Sequence, residues 1–108
     1  ELKHGTISLI EEGVPVIAVS TMERLREKTV SNVKEVCARG AKVIYVCPED
    51  AVPETAFYDD IITLPSADEF VMPVIAIIPL QLLAYYIAVD RGCDVDKPRN
   101  LAKSVTVE

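Results

Sequence analysis

The polar and apolar positions of the chain follow two rhythms. Residues 14–19, 42–47 and 60–64 are short runs rich in Val, Ile and other apolar residues, and they predict three strands, the first of them a buried parallel strand and the third shorter. Pro15 lies near the start of the first run, where a missing N–H is tolerated. Between the first two runs, Met22, Leu25, Thr29, Val33, Val36 and Cys37 recur at helical spacing. Ser20 and Glu23 have the spacing of a capping box, so a helix is expected to follow as far as about Arg39, with Gly40 as its left-handed stop. Residues 5–10 predict one short helix ahead of the first strand, ended by Gly13.

A different pattern occupies residues 70–89, a stretch of twenty without a charge. Its length qualifies it as a membrane-span candidate. Pro73 and Pro79 interrupt its helical bonding and Gln81 adds a polar group, so the reading adopted is an α/β helix buried on most sides, with no membrane. Asp68 and Glu69 suit its start, and Gly92 its end. The order is helix, strand, helix, strand, strand, helix, tail, which is α/β architecture with a largely parallel sheet of about three strands. Such a sheet needs both faces covered, and few helices are present, so an upstream part of the fold is expected.

Composition narrows the function. The chain has 108 residues, half of them hydrophobic, and a formal net charge of −6. Eight acidic residues and no Lys or Arg lie between Val43 and Asp90. That surface repels nucleic acid and anionic lipid. Cys37, Cys47 and Cys93 are odd in number and widely spaced, which argues against a disulfide framework or a zinc site. Cys37 and Cys47 read as small core residues, and a reducing cytoplasm fits.

The last residues hold the densest polar chemistry. Pro98 stiffens the approach, Arg99, Asn100, Lys103, Ser104 and Thr106 supply hydrogen-bonding groups, and Val105 and Val107 alternate with them. By residue type alone, Lys103 is an ordinary surface lysine or a partly desolvated amine able to form a Schiff base. His4, the single histidine, is either a hydrogen-bonded surface group or a proton-transfer group. Arg99 and Asn100 order the tail or touch substrate, and Ala102 offers only backbone groups.

The segment from Asp94 to Glu108, the run Pro79-Leu80-Gln81-Leu82-Leu83-Ala84-Tyr85 and the opening Glu1-Leu2-Lys3-His4-Gly5 resemble the glutamine–fructose-6-phosphate aminotransferases. The matches run in order across nearly the whole chain. The resemblance implies a partial flavodoxin-like sugar-isomerase (SIS) fold, with residues 1–92 as the C-terminal part of that domain and 93–108 as a tail carrying the active-site lysine. It implies that Lys103 forms an imine with open-chain fructose 6-phosphate. It also implies that His4 opens the sugar ring in the neighbouring subunit's site and that Ala102 touches the sugar. The family's isomerisation base, phosphate-binding loop and glutaminase are expected upstream of Glu1, so the chain alone is expected to be inactive.

No metal or organic cofactor is implied by the sequence. The implied partners are fructose 6-phosphate, glutamine and further copies of the subunit, as a homodimer or higher oligomer, and the implied location is cytoplasmic. The competing readings are a non-catalytic sugar-phosphate-binding module of the same fold and a flavodoxin-like interaction domain.

Overall fold

The computed structural model describes residues 2–97. Three parallel strands form one sheet in the order β1 (Pro15–Val19), β2 (Lys42–Pro48), β3 (Asp60–Leu64). Pro15 pairs with Lys42 and Val19 with Val46, while Ile44 pairs with Asp60 and Pro48 with Leu64. The central strand is the most buried, with Val43, Tyr45, Val46 and Cys47 fully enclosed, as expected of a strand covered on both faces.

Helix α1 (Arg26–Cys37) connects β1 to β2. Its Val33 and Val36 pack with Ala18, Ala41, Val43, Tyr45 and Cys47 in the main core. Phe57 and Tyr58 close over Tyr45, with ring centroids 5.1 Å and 5.9 Å away. Cys37 Sγ donates to the Phe57 carbonyl at 3.0 Å, and the Lys34 ammonium stands 5.7 Å from the Phe57 ring.

The expected capping box is not formed. A 3₁₀ turn, Glu23–Leu25, precedes α1, and no side chain caps either segment. The Ser20 N–H donates to the Val46 carbonyl at 2.8 Å, prolonging the ladder. Ser20 is thereby held at the end of the sheet, with its hydroxyl buried. The helix also ends at Cys37, two residues before Arg39. Ahead of β1, the expected short helix is a 3₁₀ turn, Thr6–Leu9.

Helix α2 spans Met72–Asp90 and contains Pro79. Asp68 sets up its start: its carboxylate accepts from Phe70 N at 2.9 Å and its carbonyl from Met72 N at 3.1 Å. The expectation that this helix is buried on most sides is corrected. Only Met72 and Ala76 are buried, and Val74, Ile77, Ile78, Leu82, Tyr85, Tyr86, Ile87 and Val89 are exposed. At 1.5 Å per residue the helix is about 28 Å long. By length and composition α2 matches a membrane span. The chain divides after Ala76 into two compact units.

Both helices end in the same way. Gly40 and Gly92 have φ of +86° and +69°. Around Gly40, Ala41 N bonds to Val36 O and Gly40 N to Cys37 O. Around Gly92, Cys93 N bonds to Ala88 O and Gly92 N to Val89 O. This is the Schellman pattern, in which a left-handed residue satisfies the last carbonyls.

Candidate functional site

His4 closes a 3₁₀ turn, Leu2–His4, and is exposed. Leu2 packs against the main core and anchors that turn. Gly5 N bonds back to Leu2 O at 3.3 Å, and Ser8 returns both its N–H and its hydroxyl to Gly5 O, at 3.0 Å and 2.7 Å. The backbone at His4 is thus held, and its side chain is exposed.

At the carboxyl end of β1, Val19, Ser20, Thr21, Met22, Leu25 and Thr29 line a small cavity of about 100 Å³. Ligands of open α/β sheets bind beyond such strand ends. The hydroxyls of Ser20 and Tyr45 are both buried without a hydrogen-bond partner. Burial pushes the Tyr45 phenol pKa up.

The stem of the C-terminal tail is built on α2. After the Gly92 turn, the Asp94 carboxylate Oδ1 accepts from Asp96 N at 3.0 Å and from Lys97 N at 3.2 Å. This Asx-type turn fixes the chain as it leaves the helix. Cys93, Asp94, Val95 and Lys97 of the stem and Ala84, Tyr85 and Ala88 of α2 line a cavity of about 680 Å³. The sequence reading passed over Asp94. The available signal was an Asp two and three residues ahead of free backbone N–H groups, just before a proline.

Arg99, Asn100, Ala102 and Lys103 lie outside the described residues. Of the residues singled out for chemistry, the structure therefore describes His4 alone. Among the described residues, no group of three His, Cys, Asp or Glu side chains is placed to hold a metal ion.

The sequence pattern of the SIS domain matches residues 1–91. The chain belongs to the SIS domain family. It is similar to glutamine–fructose-6-phosphate aminotransferase (isomerizing) of Clostridium acetobutylicum, with 54% identity over all 108 residues, which is 18% of that protein. The same enzyme of Methanosarcina acetivorans is 52% identical over the same span, again 18% of its length. Among solved structures, the C-terminal domain of glucosamine-fructose-6-phosphate aminotransferase from Francisella tularensis superimposes with a TM-score of 0.80 and 41% identity. The match covers 88% of this chain and 27% of that one. The SIS chain thus corresponds to the C-terminal SIS region of these aminotransferases, and it spans about a fifth of the curated relatives' length. Three parallel strands with flanking helices agree with the partial SIS fold expected from the sequence.

Proposed function

We propose that this chain is the end of the isomerase domain of a glutamine–fructose-6-phosphate aminotransferase, which makes glucosamine 6-phosphate from fructose 6-phosphate and glutamine. The observation that carries the reading is the extent of the similarity: it runs through all 108 residues at 54% identity. Both ends, with the motifs around His4 and Lys103, therefore lie inside the matched span.

In this reading Lys103 attacks C2 of the open-chain ketose as a neutral amine. A carbinolamine forms and loses water to give the imine, which a hydride reagent reduces to a stable secondary amine. His4 moves the proton that opens the sugar ring, a step suited to an imidazole near neutral pH. It acts in the site of a neighbouring subunit, and its exposed position on an anchored turn supports this role. Ala102 offers its backbone to the sugar, and Arg99 and Asn100 order the tail.

Helix α2 is read as an internal helix of a larger cytoplasmic domain rather than a membrane span. Support comes from its place within a globular domain that superimposes on the Francisella tularensis enzyme domain. Its exposed apolar face is read as a surface covered in the full enzyme, which functions as a homodimer or higher oligomer. The chain by itself is inactive, because the base, the phosphate loop and the glutaminase belong to the remaining length.

The test is reductive trapping in the full-length protein. With fructose 6-phosphate and borohydride, the wild type is expected to gain the mass of one reduced hexose phosphate per subunit at Lys103, and Lys103→Ala none. A wild type that binds the sugar phosphate without forming an adduct would identify the non-catalytic module instead. Synthase assays of the isolated chain are expected to give no turnover above a Lys103→Ala control.

A further inference from the structure

We propose that Asp94 is a positioning residue for the tail lysine: its carboxylate sets the direction in which the chain leaves α2. The inference rests on the reading of Lys103 as the imine-forming residue.

Three successive devices restrict the chain between helix and tail. Gly92 turns it through backbone bonds alone, Cys93 N to Ala88 O and Gly92 N to Val89 O, both 2.9 Å. Asp94 then holds two consecutive N–H groups, those of Asp96 and Lys97, on one carboxylate oxygen. Pro98 follows directly and fixes its own φ. Only the middle device depends on a side chain. Gly92 acts by lacking one and Pro98 through its ring, so Asp94 is the point at which a side-chain change releases the tail's base without disturbing the helix.

The chemistry makes that base matter. Imine formation needs the amine within near-attack distance of the ketose carbonyl, and small misplacements are costly. A carboxylate accepting from two backbone N–H groups freezes residues 95–97 before the substrate arrives, so less ordering is left for the reacting complex. Val95, inside this turn, lines the same apolar cavity as Tyr85 and Ala88. Asp96 differs: the turn uses its backbone N–H and not its carboxylate.

The experiment uses the full-length enzyme with Asp94→Ala, Asp94→Asn, Asp96→Ala and Lys103→Ala. The readouts are the rate of borohydride trapping with saturating fructose 6-phosphate, kcat and KM, and the thermal midpoint. Asp94→Ala is expected to slow trapping and kcat about 10-fold or more, with KM and the thermal midpoint little changed. The asparagine amide oxygen still accepts both N–H bonds, so Asp94→Asn is expected to stay within about 2-fold of the wild type. Asp96→Ala is expected to match the wild type. Trapping by Asp94→Ala at the wild-type rate would overturn the inference, as would an Asp94→Asn as slow as the alanine variant. If Lys103→Ala still formed the adduct, the reading of Lys103 would fall, and the inference with it. That result is distinct from a normal Asp94→Ala in an enzyme that needs Lys103.

Discussion

Asp59 and Lys42 join the start of β2 to the turn before β3. Lys42 Nζ lies 2.9 Å from Asp59 Oδ1, and the other carboxylate oxygen accepts from Val43 N at 2.8 Å. The Lys42 hydrogen bond, then that of Val43, hold the Asp59 pKa below its usual 3.8. The same pair raises the Lys42 pKa above 10.5. A lowered acid pKa contributes stability that is present above the unfolded value and lost as pH falls through the folded one. The lysine's contribution is present below 10.5 and lost as pH rises through its raised value. Asp59→Asn is therefore expected to lower the urea midpoint at pH 7. The difference from wild type should close as pH is lowered from about 4 toward 2. A difference of the same size at pH 2 would contradict this account.

Tyr45 separates packing from hydrogen bonding. Its ring is fully buried against Phe57 and Tyr58, and truncating a buried aromatic to Ala typically costs about 3–5 kcal/mol. Its hydroxyl is buried without a partner, so little is lost with it. Tyr45→Phe is expected to change stability by less than about 1 kcal/mol or to raise it. Denaturant midpoints of the two variants check this, and a large loss in Tyr45→Phe would mean that the hydroxyl is satisfied.

The two helix-ending glycines differ in surroundings. A Cβ at Gly40 would run into the Glu12 side chain and lie 3.0 Å from the Glu12 Cα, whereas at Gly92 it meets nothing within 4 Å. Gly92→Ala is expected to cost only the left-handed strain, about 1–2 kcal/mol. Gly40→Ala should cost that strain plus the displacement of Glu12. Thermal midpoints should rank wild type, Gly92→Ala, Gly40→Ala in falling order.

The exposed face of α2 predicts self-association of the isolated chain. Ile78, Leu82 and Tyr85 are each about half exposed, and they recur at one-turn spacing along a helix whose only charged residue is its last, Asp90. Sedimentation at micromolar concentration is expected to give a dimer or larger species. Ile78→Lys combined with Leu82→Lys should shift the distribution toward monomer. A wild-type chain already monomeric under those conditions would refute this prediction.

The sheet could be read from the sequence because parallel strands are short, apolar and β-branched. The run at residues 60–64 coincides with β3, and both glycine stops were visible as helix ends. Ser20 misled because spacing cannot tell whether a serine faces the helix it precedes or the strand it ends. Helix α2 misled because an apolar run reads the same whether its side chains are buried or, as here, mostly exposed. Of the candidate site, His4 and Lys103 were singled out through family motifs, and Lys103 lies outside the described residues. Asp94 was passed over, although an Asp two and three residues ahead of backbone N–H groups and shortly before a proline signals such a turn.

The ladder has a consequence for how the chain folds. Pro15 must find Lys42, and Ile44 must find Asp60, so neither pairing can begin from a tight hairpin. Every strand contact waits on closure of a long connection, and α1 is the one piece of that route able to form locally. The transition state for residues 1–76 is therefore expected to be organised around α1 docking on β2, with β3 joining late. Substitutions at Val36 should slow folding, while those at Leu64 should mainly speed unfolding.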